Sequence, residues 1–155
     1  MPQISKGGKY IFGWSKIRKN GGVLIPDEAV QEYRLGPREK VILVSGSKAS
    51  GGFVVAKKVL LEHSEISNVL EKNPDLAQFQ MDEGEVVKFK GRLYCWVGLR
   101  GKGLIVLPAH TREAFNVKSG DALLSIRGSN IAFVMGVKGP IIEKAREHLE
   151  IDVYQ

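Results

Sequence analysis

Gly21-Gly22-Val23-Leu24-Ile25-Pro26 and Gly103-Leu104-Ile105-Val106-Leu107-Pro108 are one string written twice in this chain. In each copy a glycine suited to a tight turn precedes a short aliphatic run, and proline ends it. The run is short, continuous and β-branched enough to predict a strand buried on both faces. Proline lacks the N–H that the first turn of a helix leaves unused, so it closes the strand and opens a helix. Asp27 and Glu28 follow in the first copy, charges that suit a helix N-terminus. The predicted helix is brief, with Ala29, Val30 and Tyr33 at helical spacing in one copy and Thr111, Ala114 and Phe115 in the other.

Outward from this string the repeat continues. Residues 11–47 align with residues 93–129 at a constant offset of 82, without a gap. Trp14 falls on Trp96, Arg18 on Arg100, Gly21 on Gly103, Pro26 on Pro108, and Gly46-Ser47 on Gly128-Ser129. Between these identities the apolar class also matches, as in Leu35 with Val117. Each copy predicts a first strand, Tyr10–Ile17 or Leu93–Leu99, then a turn, Arg18-Lys19-Asn20-Gly21-Gly22 or Arg100-Gly101-Lys102-Gly103. After the short helix come two more strands, Lys40–Val44 with Gly52–Ala56, and Ala122–Ile126 with Ile131–Val137. A second helix is expected after each unit, over Leu60–Glu71 and over Pro140–Glu150. Asn73–Gly84 reads as an acidic linker, and Glu85–Lys90 as an extension of the next strand. The domain plan is a first unit at 1–58, a helix and acidic linker at 59–91, and a second unit with a C-terminal helix at 92–155.

Charge follows the same plan. Residues 1–58 hold 11 Lys/Arg against 4 Asp/Glu, residues 59–91 hold 3 against 7, and residues 92–155 hold 9 against 6. Two basic blocks flanking an acidic one fit two modules that face a polyanion, or equally a solvated basic surface. No apolar run approaches the ~20 residues of a membrane span, so no membrane partner is expected. The single cysteine, Cys95, cannot form an internal disulfide, and the N-terminus carries no apolar signal stretch. The expected location is the cytoplasm.

The pattern from Gly21 to Val44, and again from Gly103 to Ile126, resembles the AbrB/MazE/SpoVT superfamily of swapped-hairpin DNA-binding proteins. The resemblance covers about two thirds of the chain. It implies a mainly β fold with short helices, in which two units of some 45–50 residues exchange hairpins and close a shared β-barrel. With both units in one chain, the expected form is an intramolecular pseudo-dimer, consistent with the marginal stability of so small a unit alone. The resemblance further implies a non-enzymatic DNA-binding transcriptional regulator. The superfamily's contact arginines are mostly missing. The position after the turn glycine holds Gly22 and Leu104, the position six before that glycine holds Ser15 and Val97, and the helix pair after proline holds Val30-Gln31 and Arg112-Glu113. Arg112 alone is retained.

The candidate DNA contacts are therefore Lys16, Arg18 and Lys19 at one turn, Arg100 and Lys102 at the other, and Arg112. Cations at a hairpin tip neutralise phosphates regardless of sequence; the same charges can simply solubilise a turn. Trp14, Trp96, Tyr10, Phe12 and Tyr94 are expected in the core. His63, His110 and His148 are too dispersed for a zinc site, Cys95 reads as a buried thiol, and no catalytic set, cofactor motif or metal site is discernible. Ser5-Lys6-Gly7-Gly8-Lys9 reads as a flexible basic arm. Two alternatives to a DNA regulator remain. One is an antitoxin-like or other protein-interaction module, with the acidic 62–85 segment taking a basic partner or the chain forming a homodimer. The other is a ligand-binding or catalytic barrel.

Overall fold

A computed structural model of the chain describes residues 10–58, 68–148 and 150–155. The first half contributes β1 (Ile11–Lys16), β2 (Gly22–Leu24), α1 (Asp27–Glu32), β3 (Lys40–Ser45) and β4 (Phe53–Lys57). Between the halves lie α2 (Asn68–Lys72), α3 (Pro74–Ala77) and β5 (Val87–Phe89). The second half repeats the first with β6 (Arg92–Gly98), β7 (Leu104–Val106), α4 (Ala109–Ala114), β8 (Ala122–Arg127) and β9 (Ala132–Gly136). It ends with α5 (Pro140–Ala145) and β10 (Val153–Tyr154).

The protein is mainly β, and its strands pair across the two halves. β1 of the first half runs antiparallel to β8 of the second, and β6 of the second antiparallel to β3 of the first. β3 and β4 form one hairpin, β8 and β9 the equivalent one, and the hairpins join through β4 and β9. β2 and β7 form a separate two-stranded ribbon, with Val23 opposite Ile105. Every pairing among these eight strands thus maps onto itself when the halves are exchanged.

The sheet is open, which corrects the expectation of a closed barrel. Its eight strands run in the order β10-β1-β8-β9-β4-β3-β6-β5. The reason lies at the ends: the outer edge of β1 is taken by β10 in parallel, and that of β6 by β5 in antiparallel. β1 and β6 therefore each stand one strand in from an edge and do not pair with each other.

Strand alternation explains why the sheet strands read as unbroken apolar runs, since both faces are covered. One face carries Phe12, Val41, Leu43, Phe53, Val55, Cys95, Val97, Leu123, Phe133 and Met135. The ribbon (Val23, Ile25, Ile105, Leu107) and the short helices (Ala29, Tyr33, Phe115) pack onto that face, so both halves share one core. Within the ribbon itself, Val23, Ile25, Ile105 and Leu107 are buried, whereas Leu24 and Val106 are half-exposed. The ribbon is therefore covered on one face, not two. The opposite face of the sheet is covered in two patches. Val69, Leu70 and Leu76 of α2 and α3 lie over Ile42, Val44, Ala56 and Tyr94, and Ile142 and Ala145 of α5, with Ile151, lie over Ile11, Leu124 and Ile126.

Several expectations between and after the repeats need correction. The helix expected over Leu60–Glu71 falls largely outside the described residues, and its end is helical from Asn68 to Lys72. The linker contains the short helix α3, started by Pro74 at its first turn. Glu85–Lys90 does not extend β6. Instead β5 turns back on it through Lys90 and Gly91, both at positive φ (49° and 81°) as a two-residue hairpin requires. The C-terminal helix stops at Ala145. No helix among the described residues is long and apolar enough to cross a membrane.

Candidate nucleic-acid interface

Each basic turn is built by close backbone packing. Gly21, at φ 87°, lies so near Leu107 that a Cβ would meet the Leu107 carbonyl oxygen at 2.2 Å. Gly103, at φ 82°, is pressed against a Val30 side-chain methyl, with the Ile25 carbonyl oxygen next nearest. The first turn closes by Gly21 N–H to the Arg18 carbonyl (3.0 Å) and Arg18 N–H to the Gly22 carbonyl (2.9 Å), with the Asn20 side chain accepting from Gly22 N–H (2.9 Å). Each turn docks on the ribbon strand of the other half: Leu107 N–H donates to the Gly21 carbonyl and Ile25 N–H to the Gly103 carbonyl, both at 2.9 Å. The turns consequently sit at opposite ends of the ribbon, four residues or about 13 Å apart at the rise of a strand.

The second half also supplies the floor under the first turn. Ile17 N–H donates to the Asp121 carbonyl (2.9 Å) and Gly120 N–H to the Ile17 carbonyl (2.8 Å). From α4, Arg112 donates through Nη1 to Ser119 Oγ (2.8 Å), and Ser119 Oγ in turn reaches the Lys19 carbonyl (3.3 Å). Arg112 Nε is buried without a hydrogen-bond partner. Lys16, Arg18 and Lys19 are exposed and line, with Ser119, Gly120 and Gln155, a hollow of about 510 Å³. Arg18 Nη2 donates to the Gln155 carbonyl at 2.9 Å. Among the described residues, no Asp or Glu side chain pairs with Lys16, Arg18, Lys19 or Arg112. Four of the six candidates thus gather at one end of the ribbon.

Arg100 and Lys102 lie at the other end, and there the electrostatics differ. Arg100 Nη2 is 3.0 Å from Glu83 Oε1, and Glu83 Oε2 accepts Gly98 N–H at 2.6 Å. Arg18 and Arg100, aligned in the repeat, are equivalent in backbone position but not in charge. Glu83 of the acidic segment is spent on its own chain. Of that segment, residues 62–67 lie outside the described residues, as do the basic arm at 5–9 and His63. The positions equivalent to Arg112 and Ser119 are Val30 and Pro37, so the floor of cations and hydroxyls exists once.

The tryptophans are not in the shared core. Trp14 and Trp96 are half-buried on the opposite face of the sheet; Trp96 falls there by regular strand alternation, and Trp14 because a bulge between Ile11 and Gly13 leaves the core position to Phe12. Phe12 and Tyr94 are buried as expected, and Tyr10 is half-buried. Its hydroxyl donates to Glu28 at 2.7 Å, a bond that keeps the phenol pKa raised. Tyr33, whose hydroxyl donates to the Ser129 (2.6 Å) and Ala132 (3.0 Å) carbonyls, ties α1 to the hairpin tip of the other half. Burial, with Glu32 nearby, pushes that phenol up to about 12. Burial likewise pushes the Cys95 thiol up to about 12. His110 is exposed, and His148 meets Glu150 at 2.9 Å.

Ser119 and the Trp14 surroundings are the parts of this region that sequence reasoning missed; a hydroxyl in a turn carries no signal of its partner. No family model, curated protein or solved structure matches this chain.

Proposed function

We propose that this protein is a non-enzymatic DNA-binding regulator of the AbrB/SpoVT type, built from two swapped-hairpin units in one chain. The pairing of each half's first strand with the other half's third strand supports the exchange of hairpins. The observation that carries the DNA-binding reading is the cluster of Lys16, Arg18 and Lys19 over Arg112, held on a turn with no Asp or Glu side-chain partner among the described residues. Exposed cations on a fixed backbone exchange condensed counterions for phosphate contacts, giving affinity that is steeply salt-dependent and only modestly sequence-selective. In this reading Lys16, Arg18 and Lys19 touch phosphates, while Arg112 and Ser119 brace the turn beneath them. Arg100 and Lys102 form a second, weaker contact, because Glu83 competes for Arg100.

A fluorescent mixed-sequence duplex, titrated at ~50 mM and ~200 mM salt, tests this. With three to four phosphates neutralised, affinity should fall by roughly 50- to 150-fold over that range. Absence of binding at the lower salt would sink the proposal and direct attention to an antitoxin-like or other protein partner.

A further inference from the structure

The two tryptophans occupy equivalent positions on equivalent strands, Trp14 across from Leu124 and Trp96 across from Ile42. Their surroundings differ. Over Trp96 the chain closes on itself. The Phe79 ring meets the indole edge-on with centroids 5.7 Å apart, the Met81 carbonyl accepts the indole N–H at 2.8 Å, and Lys40 Nζ stands 5.0 Å from the ring centre. Over Trp14 there is instead a cleft of about 530 Å³. Among the described residues, no aromatic ring packs on Trp14 and no acceptor takes its indole N–H.

The cleft has the size and wall of a small-molecule site. Val137, Ala145, Ile151 and Val153 make it apolar, and Val153 is held 56% exposed against it. Its charges are mostly engaged already. Arg146 is 2.9 Å from Glu143, His148 is 2.9 Å from Glu150, and the Asp121 carboxylate accepts Lys118 N–H at 2.9 Å. Lys16, on the rim opposite Ala122, has no such partner among the described residues. The other half places its cation on the facing strand of the same pair, Lys40 opposite Gly98.

We infer that the Trp14 cleft binds a small aromatic carboxylate. Its ring would take the place that Phe79 takes at Trp96, and its carboxylate would face Lys16 and accept the indole N–H. The filled site argues for this ligand class, since the same tryptophan at the same fold position is satisfied there by a ring, an acceptor oxygen and a nearby lysine. The inference does not rest on DNA binding, although Lys16 lines both this cleft and the hollow at the basic turn.

The test is a titration of 3-phenylpropionate into the full chain, followed by the two indole N–H resonances in NMR, with Trp14→Phe assigning them. The Trp14 resonance should move saturably while that of Trp96 stays. Cyclohexanepropionate, without the aromatic ring, and 3-phenylpropanol, without the charge, should each bind about fivefold more weakly, through loss of one aromatic contact and of one exposed ion pair respectively. Lys16→Gln should weaken 3-phenylpropionate to the level of the alcohol and leave the alcohol unchanged, with an unmoved Trp96 resonance reporting that the variant is folded. No saturable shift at millimolar probe, equal shifts at both indoles, or full affinity in Lys16→Gln would each overturn the inference.

Discussion

Replacing Ile105 by alanine tests whether the halves are one folding unit. Ile105 lies on β7, is fully buried, and faces Val23 of the other half's β2 across the ribbon. The change removes three carbons from a close-packed core and leaves a cavity, a class of substitution that costs about 2–5 kcal/mol. In a domain of this length each kcal/mol lowers Tm by about 2–4 °C, so the midpoint should fall by roughly 4–20 °C. The assay is thermal unfolding followed by near-UV and far-UV circular dichroism. Because Ile105 touches the core that both halves line, unfolding should remain one transition, with the two signals coincident. Val23→Ala should behave alike with a smaller loss, and the double variant should depart from additivity by about 0.5–3 kcal/mol, because the two side chains meet. The reasoning is refuted if the variant melts in two steps, with one half retaining the parent's midpoint.

Other consequences follow from single residues. Glu83→Gln removes the anion held by Arg100, so duplex affinity should rise while unfolding free energy falls by about 1 kcal/mol through the weakened bond to Gly98 N–H, read by titration and urea melts. Gly21→Ala drives a Cβ into the Leu107 carbonyl and should cost well over 1 kcal/mol, whereas Gly101→Ala, at φ 63° with open space around it, should cost about 1 kcal/mol for the backbone alone. Cys95 should resist thiol reagents until the chain unfolds, its pKa having been raised by burial from 9.0 to about 12. The native state holds that proton more tightly, so Cys95 should lower stability between about pH 9 and pH 12 by up to ~1.4 kcal/mol per unit; Cys95→Ala should remove that contribution and leave the fall above pH 10 that the raised Tyr33 phenol adds.

The repeat and its strands were legible because they rest on patterns that survive in one dimension. Val41–Val44 and Leu123–Ile126 are buried on both faces and read as apolar runs, and Pro26 and Pro108 stop the ribbon strands where the helices begin. What stayed hidden was decided by partners distant in sequence. β10 has two residues, too few for any periodicity, and exists because β1 offers it an edge. The turn into β6 uses Lys90 at positive φ, where asparagine or aspartate would have announced a hairpin. Those two edge strands are what leave the sheet open. At the candidate site, the clustering of Lys16, Arg18 and Lys19 was visible as local sequence. Neither the bracing of Lys19 by Ser119, 100 residues away, nor the capture of Arg100 by Glu83 could be read before the fold brought them together.

In the proposed function the first turn contacts phosphates and the second does so more weakly. The most direct measurement compares the salt dependence of duplex binding for the parent, Lys16→Gln/Arg18→Gln/Lys19→Gln, and Arg100→Gln/Lys102→Gln. The account predicts that the triple variant loses about 2–3 units of the log–log salt slope, near 0.9 per phosphate contact removed, and the double variant about 1 or less. An unchanged slope in the folded triple variant would contradict it.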